Sequence, residues 1–192
     1  MKKPYMNIFF DTEFTGLHKG TTLISIGMVA EDGREFYAEL TDFDKSQVNQ
    51  WLIDNVINHL SLHPLGKPNT SAVLPSDRYC GNKSRIASDL RRWLEGFAEP
   101  LQLVADVNAY DWVLFCNLFG TAFDIPKCVS PAPVDINQMI AAYLKISPAE
   151  AFNVDREAMA NLSYEGEKHN ALWDAKVCRA IWGKVAPVVW RN

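Results

Sequence analysis

Two carboxylates stand two residues apart at the end of an apolar run in the segment Met6 to Leu17, MNIFFDTEFTGL. Side chains alternate along a β-strand, so Asp11 and Glu13 point to one face, roughly 7 Å apart along the chain. Two neighbouring acids repel each other and resist burial, so a core strand that carries both needs cations to neutralise them. The pattern predicts a site for divalent metal ions.

Two further acids open the apolar faces of predicted helices. Asp111 precedes Leu114 by three residues, and Asp174 precedes Cys178 and Ile181 by four and seven residues. A buried carboxylate costs several kcal/mol unless it is paired or binds an ion. We therefore expect both helices to direct their acids toward the first pair, because four carboxylates can hold two metal ions.

A histidine, His169, stands five residues before Asp174. A lone histidine is more often a core or helix-end residue than a catalyst. Here the carboxylates and metal ions would orient an imidazole whose reference pKa of about 6.5 suits proton abstraction at neutral pH. His169 is therefore the candidate general base, whereas His18, His59 and His63 lack such neighbours.

Periodicity predicts the elements that position these residues. Strands are predicted over Tyr5 to Phe10, Leu23 to Ala30 and Glu35 to Leu40, as a meander, and over Leu101 to Val107. Helices are predicted over Val48 to Val56, from Ile86 to near Gly96, from near Tyr110, and from Lys168 to Val185. Asp135 and Ser147 fit helix N-caps. The order indicates a single α/β domain over residues 1–192.

An irregular stretch rich in proline and glycine is predicted between Leu60 and Lys83. A loop of this length is either a functional lid or a surface excursion. The loop and the helix after it hold a concentration of cations that are either solvated or phosphate contacts: Lys67, Arg78, Lys83, Arg85, Arg91 and Arg92.

Composition and charge limit the function. The 192 residues are 48% apolar, and no window approaches the roughly 18 uncharged apolar residues of a membrane span, so a cytoplasmic protein without a membrane partner is expected. The net charge of -4 argues against a large basic surface for duplex binding, although two bound divalent ions would neutralise it. The scattered cysteines, Cys80, Cys116, Cys128 and Cys178, are expected to be reduced thiols.

The segments FFDTEFTGL, VNAYD and KHNALWDA resemble the three exonuclease motifs of the DEDDh family, which includes bacterial proofreading subunits, ribonuclease T and oligoribonuclease. By motif, the resemblance implies a catalytic set of Asp11, Glu13, Asp111, His169 and Asp174, the four acids being the metal ligands. It also implies a ribonuclease H-like fold, in which a mixed sheet with an antiparallel three-strand meander is flanked by helices.

The resemblance further implies 3'-5' hydrolysis of single-stranded nucleic acid, with release of nucleoside 5'-monophosphates. Two Mg²⁺ or Mn²⁺ ions are the implied cofactor, since all-oxygen ligation suits hard cations. RNA is favoured over DNA because the chain is most similar to small bacterial and phage exoribonucleases. The residues beside the motifs would contact substrate or simply pack: Phe14, Thr15, Leu17 and Asn108.

Two departures from the family motifs concern nucleotide preference: Val107 replaces a frequent His, and Phe14 a frequent Thr. A homodimer is a further expectation, because many relatives are dimers and the chain from Trp182 to Trp190 is aromatic-rich.

Two alternative functions stay open. A non-catalytic nucleic-acid-binding module on the same fold would most simply have lost a ligand, but every expected position is present. A haloacid-dehalogenase-like phosphatase would need a second Asp in place of Glu13.

Overall fold

A mixed six-stranded sheet forms the centre of the protein. The computed structural model describes residues 5–62, 77–163 and 166–190. The strands are β1 (Met6–Phe14), β2 (Leu23–Ala30), β3 (Glu35–Leu40), β4 (Arg78–Gly81), β5 (Leu101–Ala105) and β6 (Val134–Asp135). Their order in the sheet is β4-β3-β2-β1-β5-β6. Pairs β1–β2 and β2–β3 are antiparallel and the other pairs are parallel, so the predicted meander is confirmed within a larger sheet.

Helices cover both faces of this sheet. They are α1 (Gln50–Asn55), α2 (Lys83–Glu95), α3 (Ala109–Phe119), α4 (Ile136–Leu144), α5 (Pro148–Phe152), α6 (Arg156–Ala160) and α7 (Ala171–Val189), and short 3-10 turns precede and follow α1. Since side chains alternate along β1, Ile8 and Phe10 pack with α2 and α3, whereas Phe9 packs with α4 and α7. In the part of the chain that the structure describes, no helix has both the length and the apolar character to span a membrane.

Two element boundaries differ from the predictions in ways that affect the acids. Strand β1 extends to Phe14 and not only to Phe10, because β2 continues to pair with it, Glu13 lying opposite Ser25. Helix α7 begins at Ala171 and not at Lys168, because the Asn170 side chain accepts hydrogen bonds from the first free backbone N–H groups. The acids of β1 are therefore held in the sheet, and His169 precedes the last helix.

The prediction of an irregular loop from Leu60 to Lys83 is wrong for its last residues. Arg78–Gly81 forms β4, which pairs in parallel with β3, and Lys83 begins α2 behind the N-cap Asn82. The part from 63 to 76, with Lys67 and His63, lies outside the described residues.

The arginines of the predicted cationic region have carboxylate partners. Arg78 pairs with Glu35 at 2.6 Å. On α2 the pairs lie within one turn of the helix: Arg85 with Asp89, Arg92 with Asp89, and Arg91 with Glu95. These interactions favour a solvated, paired face over a phosphate site.

Two structural predictions of a simpler kind are confirmed. Asp135 and Ser147 cap α4 and α5, and Glu150 completes a capping box with Ser147. The four cysteines are free thiols, two of them buried and two half-buried.

Candidate active site

The two acids of strand β1 lie beyond the point where its parallel neighbour β5 stops pairing with it. Strand β5 pairs with β1 only from Met6 to Phe9, whereas β2 pairs with β1 from Ile8 to Phe14. Asp11 and Glu13 therefore lie where one edge of a central strand is open. Both side chains point to the face that α7 covers, because Phe9, two residues earlier, packs against that helix.

Helix α3 brings a third acid to the open edge. Asp111 is 7% exposed, and its Oδ1 accepts hydrogen bonds from the Thr12 backbone N–H at 3.0 Å and the Thr12 hydroxyl at 2.6 Å. The backbone donor that β5 leaves unpaired is thus satisfied by this carboxylate. Asp111 also lies in the first turn of its helix, where the helix dipole favours a negative charge.

Helix α7 approaches the sheet at Gly27. A Cβ on this residue would lie 2.3 Å from the Ala171 carbonyl carbon and 2.3 Å from the Leu172 nitrogen, so only glycine fits. Gly27 is the register partner of Asp11. The close approach therefore sets the first turn of α7, with Asp174, above the acids of β1.

His169 lies in the turn immediately before α7. Its backbone is left-handed, with φ 63°, and its N–H donates a hydrogen bond of 3.0 Å to Asp174 Oδ2. The imidazole packs edge-on against Trp51. The residue predicted as the base is thus joined through its backbone to one of the predicted metal ligands.

Three of the predicted acids meet. One carboxylate oxygen each from Asp11, Glu13 and Asp174 lies within 4.8 Å of the others. Asp11, Asp174 and His169 line a cleft of about 760 Å³. Carboxylate oxygens are the ligands that Mg²⁺ and Mn²⁺ prefer, so the donor set fits such ions. Asp111 does not belong to this trio but lies close enough for its charge to raise the pKa of Asp11.

Burial and mutual repulsion make these carboxylates hard to ionise. Burial first, then the charges of Asp111, Asp174 and Glu13, raise the pKa of Asp11 well above its usual value. Burial, then the charges of Asp174 and Asp111, raises the pKa of Glu13 to about 9. Burial raises the pKa of Asp111 to about 6 and that of Asp174 to about 7. A bound cation would stabilise the ionised forms, which is what a metal centre requires.

The environment of His169 favours its neutral form. Burial, and then the positive charge of Lys168, lowers its pKa below the usual value. A neutral imidazole can accept a proton, so this direction suits a general base.

A fifth acid that sequence reasoning missed, Asp106, also borders the cleft. Arg156 donates to both of its oxygens, at 2.7 and 3.1 Å, and to Asn137 Oδ1 at 2.8 Å. Among the described residues, none of the four acids assigned by motif has an arginine or lysine within 4.0 Å, so their charge is neutralised by protons or by a bound cation.

The predicted substrate contacts have different environments. Phe14 lines the cleft and stacks on Tyr110, with ring centroids 5.6 Å apart. Leu17 is 75% exposed beyond the strand end. The Thr15 hydroxyl donates to Gln47 and accepts from the Thr22 N–H, so the turn after β1 uses it. Asn108 occupies the N-cap position of α3 without a side-chain capping bond.

Comparison with known proteins identifies the family. The model of the 3'-5' exoribonuclease Rv2179c-like domain matches residues 6–186. The chain belongs to this family. A curated relative, the 3'-5' exoribonuclease Rv2179c of Mycobacterium tuberculosis strain H37Rv, is 33% identical over 135 residues, which cover 70% of this chain and 73% of that protein.

Solved structures share the fold of this Rv2179c-like chain. The nuclease domain of 3'hExo, a DEDDh family member bound to rAMP, has a TM-score of 0.63 at 12% identity, covering 97% of this chain and 94% of that one. Pop2p of S. pombe, in a Mg²⁺- and Mn²⁺-bound form, has a TM-score of 0.59 at 14% identity, covering 97% and 84%. The predicted ribonuclease H-like α/β fold and the predicted exonuclease class are confirmed, and the phosphatase alternative is not favoured.

Two of the residues missed in the Rv2179c-like sequence carried a detectable signal. Gly27 stands inside the wholly buried strand LISIGMVA, and a glycine inside a core strand often marks a close backbone approach. Asp106 directly follows the apolar strand β5, as Asp11 follows the apolar start of β1. Trp51 gave no such signal, because its contact with His169 joins distant segments.

Proposed function

We propose that this chain hydrolyses single-stranded RNA from the 3' end and releases nucleoside 5'-monophosphates. The observation that carries the proposal is the meeting of Asp11, Glu13 and Asp174 at a cleft that Asp11, Asp174 and His169 line. The name of the M. tuberculosis relative, an exoribonuclease, supports RNA over DNA. The bound ions in the Pop2p structure support Mg²⁺ or Mn²⁺, of which we propose two per site.

The four acids have distinct proposed roles in holding the ions. Asp11 interacts electrostatically with Glu13, Asp111 and Asp174, which supports it as a ligand shared by both ions. Asp111 is anchored to β1 through Thr12, so it would hold its ion at a fixed distance from the sheet. When bound, the ions supply charge stabilisation at the scissile phosphate and lower the pKa of a bound water.

His169 is the proposed general base. Its lowered pKa keeps the imidazole neutral and ready to accept the proton of the attacking water. Its backbone N–H holds Asp174 Oδ2, which ties the base to the ligand set.

Two aromatic or apolar side chains are proposed to contact the terminal nucleotides. Phe14 lines the cleft and already stacks on Tyr110, and a base stacked on it would extend that pair. The exposed Leu17 would pack against the neighbouring base. Asn108 is proposed to donate to the sugar or phosphate, and Thr15 to shape the turn that carries Leu17.

A digestion assay with end-labelled oligonucleotides tests the function. With Mg²⁺ or Mn²⁺, we expect a 3' label on single-stranded RNA to be released at once as a mononucleotide and a 5'-labelled strand to shorten stepwise, faster than matched DNA or duplex. Asp11→Asn should lower the rate by more than about 100-fold, because several kcal/mol of charge stabilisation are lost.

The matched control is Glu95→Gln, which neutralises an exposed acid on α2 and should leave the rate unchanged. Hydrolysis that survives chelation of the metal, or Asp11→Asn, would overturn the proposal. Thermal stabilisation by Mn²⁺ without any hydrolysis would instead favour the non-catalytic binding module.

A homodimer and a cytoplasmic location stay predictions. Trp190 and Val188 are 66% and 47% exposed at the end of α7, which supports an interface there, whereas Trp182 packs internally against Phe9. Light scattering on the purified protein measures the oligomeric state.

A further inference from the structure

We propose that Trp51 and His59 are positioning residues that hold the imidazole of His169 in its working orientation. Both lie on the arm, defined here as residues 49–62, which contains α1 and the 3-10 turn after it. The proposal rests on the proposed role of His169 as the base. The proposal gives the arm a role in the reaction, although the arm contains none of the three sequence motifs and none of the clustered acids.

The first contact joins the arm to the imidazole itself. The rings of Trp51 and His169 meet edge to face, with centroids 5.2 Å apart and planes inclined by 72°. Trp51 is 53% exposed, so core packing does not account for it. A large rigid ring beside the imidazole restricts rotation about its side-chain bonds.

The second contact joins the arm to the turn that carries His169. His59 Nδ1 lies 2.9 Å from Glu167 Oε1, and its Nε2 lies 3.2 Å from the Asp54 carbonyl oxygen. Glu167 precedes His169 by two residues, and its carbonyl oxygen accepts the Asn170 N–H at 3.2 Å. This close approach of His59 to Glu167 places the arm against the base of a short turn.

The turn needs such support because its backbone is in an unfavourable conformation. His169 has a φ of 63°, in the left-handed region that residues with a Cβ rarely adopt. Conformations of this kind persist only where the surrounding contacts hold them. The backbone bond to Asp174 fixes the main chain of His169, but not its ring.

The arm is rigid enough to provide this support. Leu52, Val56 and Ile57 are buried in a cluster with Ile24 of β2. The buried carboxylate of Glu39 on β3 accepts the backbone N–H groups of Ser61 and Leu62, at 2.8 and 3.0 Å. Trp51 and His59 are thus attached to the same sheet that carries Asp11 and Glu13, and the arm connects the base to the ligands through the core.

Steady-state kinetics with Trp51→Leu test the proposal. Because a misplaced catalytic group costs up to about 100-fold, we expect kcat to fall roughly 10- to 100-fold while KM and the affinity for Mn²⁺ change little. Trp51→Phe should restore most of the rate, since a smaller ring still meets the imidazole. The control is Phe123→Leu, which removes a fully exposed aromatic ring from the loop after α3.

The contact between His59 and Glu167 is tested separately. Glu167→Gln should lower kcat in the same direction and by a smaller factor, because Trp51 still contacts the imidazole. The matched control is Asp32→Asn on the turn between β2 and β3. This change breaks the exposed ion pair between Asp32 and Arg34, whose charged atoms lie 2.6 Å apart, and should leave kcat unchanged.

Imidazole NMR signals report on the contact without any substrate. The Hε1 resonance of His169, assigned by its disappearance in His169→Gln, should lose its ring-current shift in Trp51→Leu and keep it in Phe123→Leu. A raised KM with unchanged kcat in Trp51→Leu would overturn the proposal, because Trp51 would then contact substrate. Unchanged kcat with an unchanged resonance would overturn it as well.

The same spectra separate this proposal from the proposed function. If the wild-type protein hydrolyses no RNA but shows the Trp51-dependent shift, the proposed exonuclease activity is wrong and the proposed positioning of His169 is supported. If the protein is an active exonuclease but lacks that shift, the proposed positioning of His169 is wrong and the proposed exonuclease activity is supported.

Discussion

Replacing Gly27 by alanine tests whether the approach of α7 to the sheet sets the site. The added Cβ would lie 2.3 Å from the Ala171 carbonyl carbon and from the Leu172 nitrogen. Non-bonded carbon atoms prefer about 3.5 to 4.0 Å, so helix and strand would separate by roughly 1 Å or more. Backbone on both sides makes a smaller adjustment impossible. The separation would move Asp174 away from Asp11.

The expected effect is larger on activity than on stability. Overpacking a core costs about 1–3 kcal/mol, and each kcal/mol lowers the Tm of a protein of this size by about 2–4 °C, so we expect a loss of roughly 2–12 °C. A displacement of about 1 Å at a catalytic group costs about 100-fold in rate. Gly27→Ala should therefore fold and lose most of its turnover.

The assay compares Tm and kcat for Gly27→Ala and Gly183→Ala. Gly183 also lies on α7, but a Cβ there would have nothing within 4 Å. This control should keep the wild-type kcat and gain stability, because alanine is about 0.5–1 kcal/mol better than glycine inside a helix. A wild-type kcat in Gly27→Ala would show that the close approach of α7 to β2 does not position Asp174.

Two further predictions concern the carboxylates. Without metal ions, the unfolding free energy should fall as pH rises from about 4 to about 9, because the folded protein retains protons on Glu13 and Asp174, with pKa values of about 9 and about 7, that the unfolded chain has released. Urea denaturation at several pH values measures the slope, which Mn²⁺ should reduce; a flat profile in chelator contradicts the prediction. Thr12→Val removes the 2.6 Å hydroxyl bond to Asp111 and should weaken Mn²⁺ binding by about 10-fold, whereas Thr121→Val, which removes an equally short bond to Asp124 far from the cleft, should not.

The strands and helices with strong periodicity were predictable. The meander, α2, α3 and α7 all follow from apolar spacing, with errors of a few residues at their ends. Strands β4 and β6 were missed because they have four and two residues and pair with distant strands in parallel. Such pairing depends on chain crossovers that local sequence does not encode. A single domain over residues 1–192 stays a prediction.

The acids of the candidate site were predictable because charged side chains are unusual at the end of a core strand or at the start of an apolar helix face. Asp111, for example, begins the apolar face of its helix, and a carboxylate at such a position needs an ion or another partner, so the sequence alone predicts a functional role for it. The expectation that His59 lacks a neighbouring carboxylate was wrong, since its Nδ1 lies 2.9 Å from Glu167 Oε1 in the turn of the proposed base. That contact, the close approach at Gly27 and the pairing of Asp106 with Arg156 all join segments far apart in sequence. Only folded geometry reveals them.

The order of the proposed ligands along the chain also affects when the enzyme can first cut. Asp11 and Glu13 belong to the first strand, whereas His169 and Asp174 flank the start of the last helix. A nascent polypeptide on the ribosome therefore carries an incomplete set of the proposed ligands until α7 emerges and folds back onto the sheet. Until α7 docks, the proposed site cannot act on the messenger that is being translated.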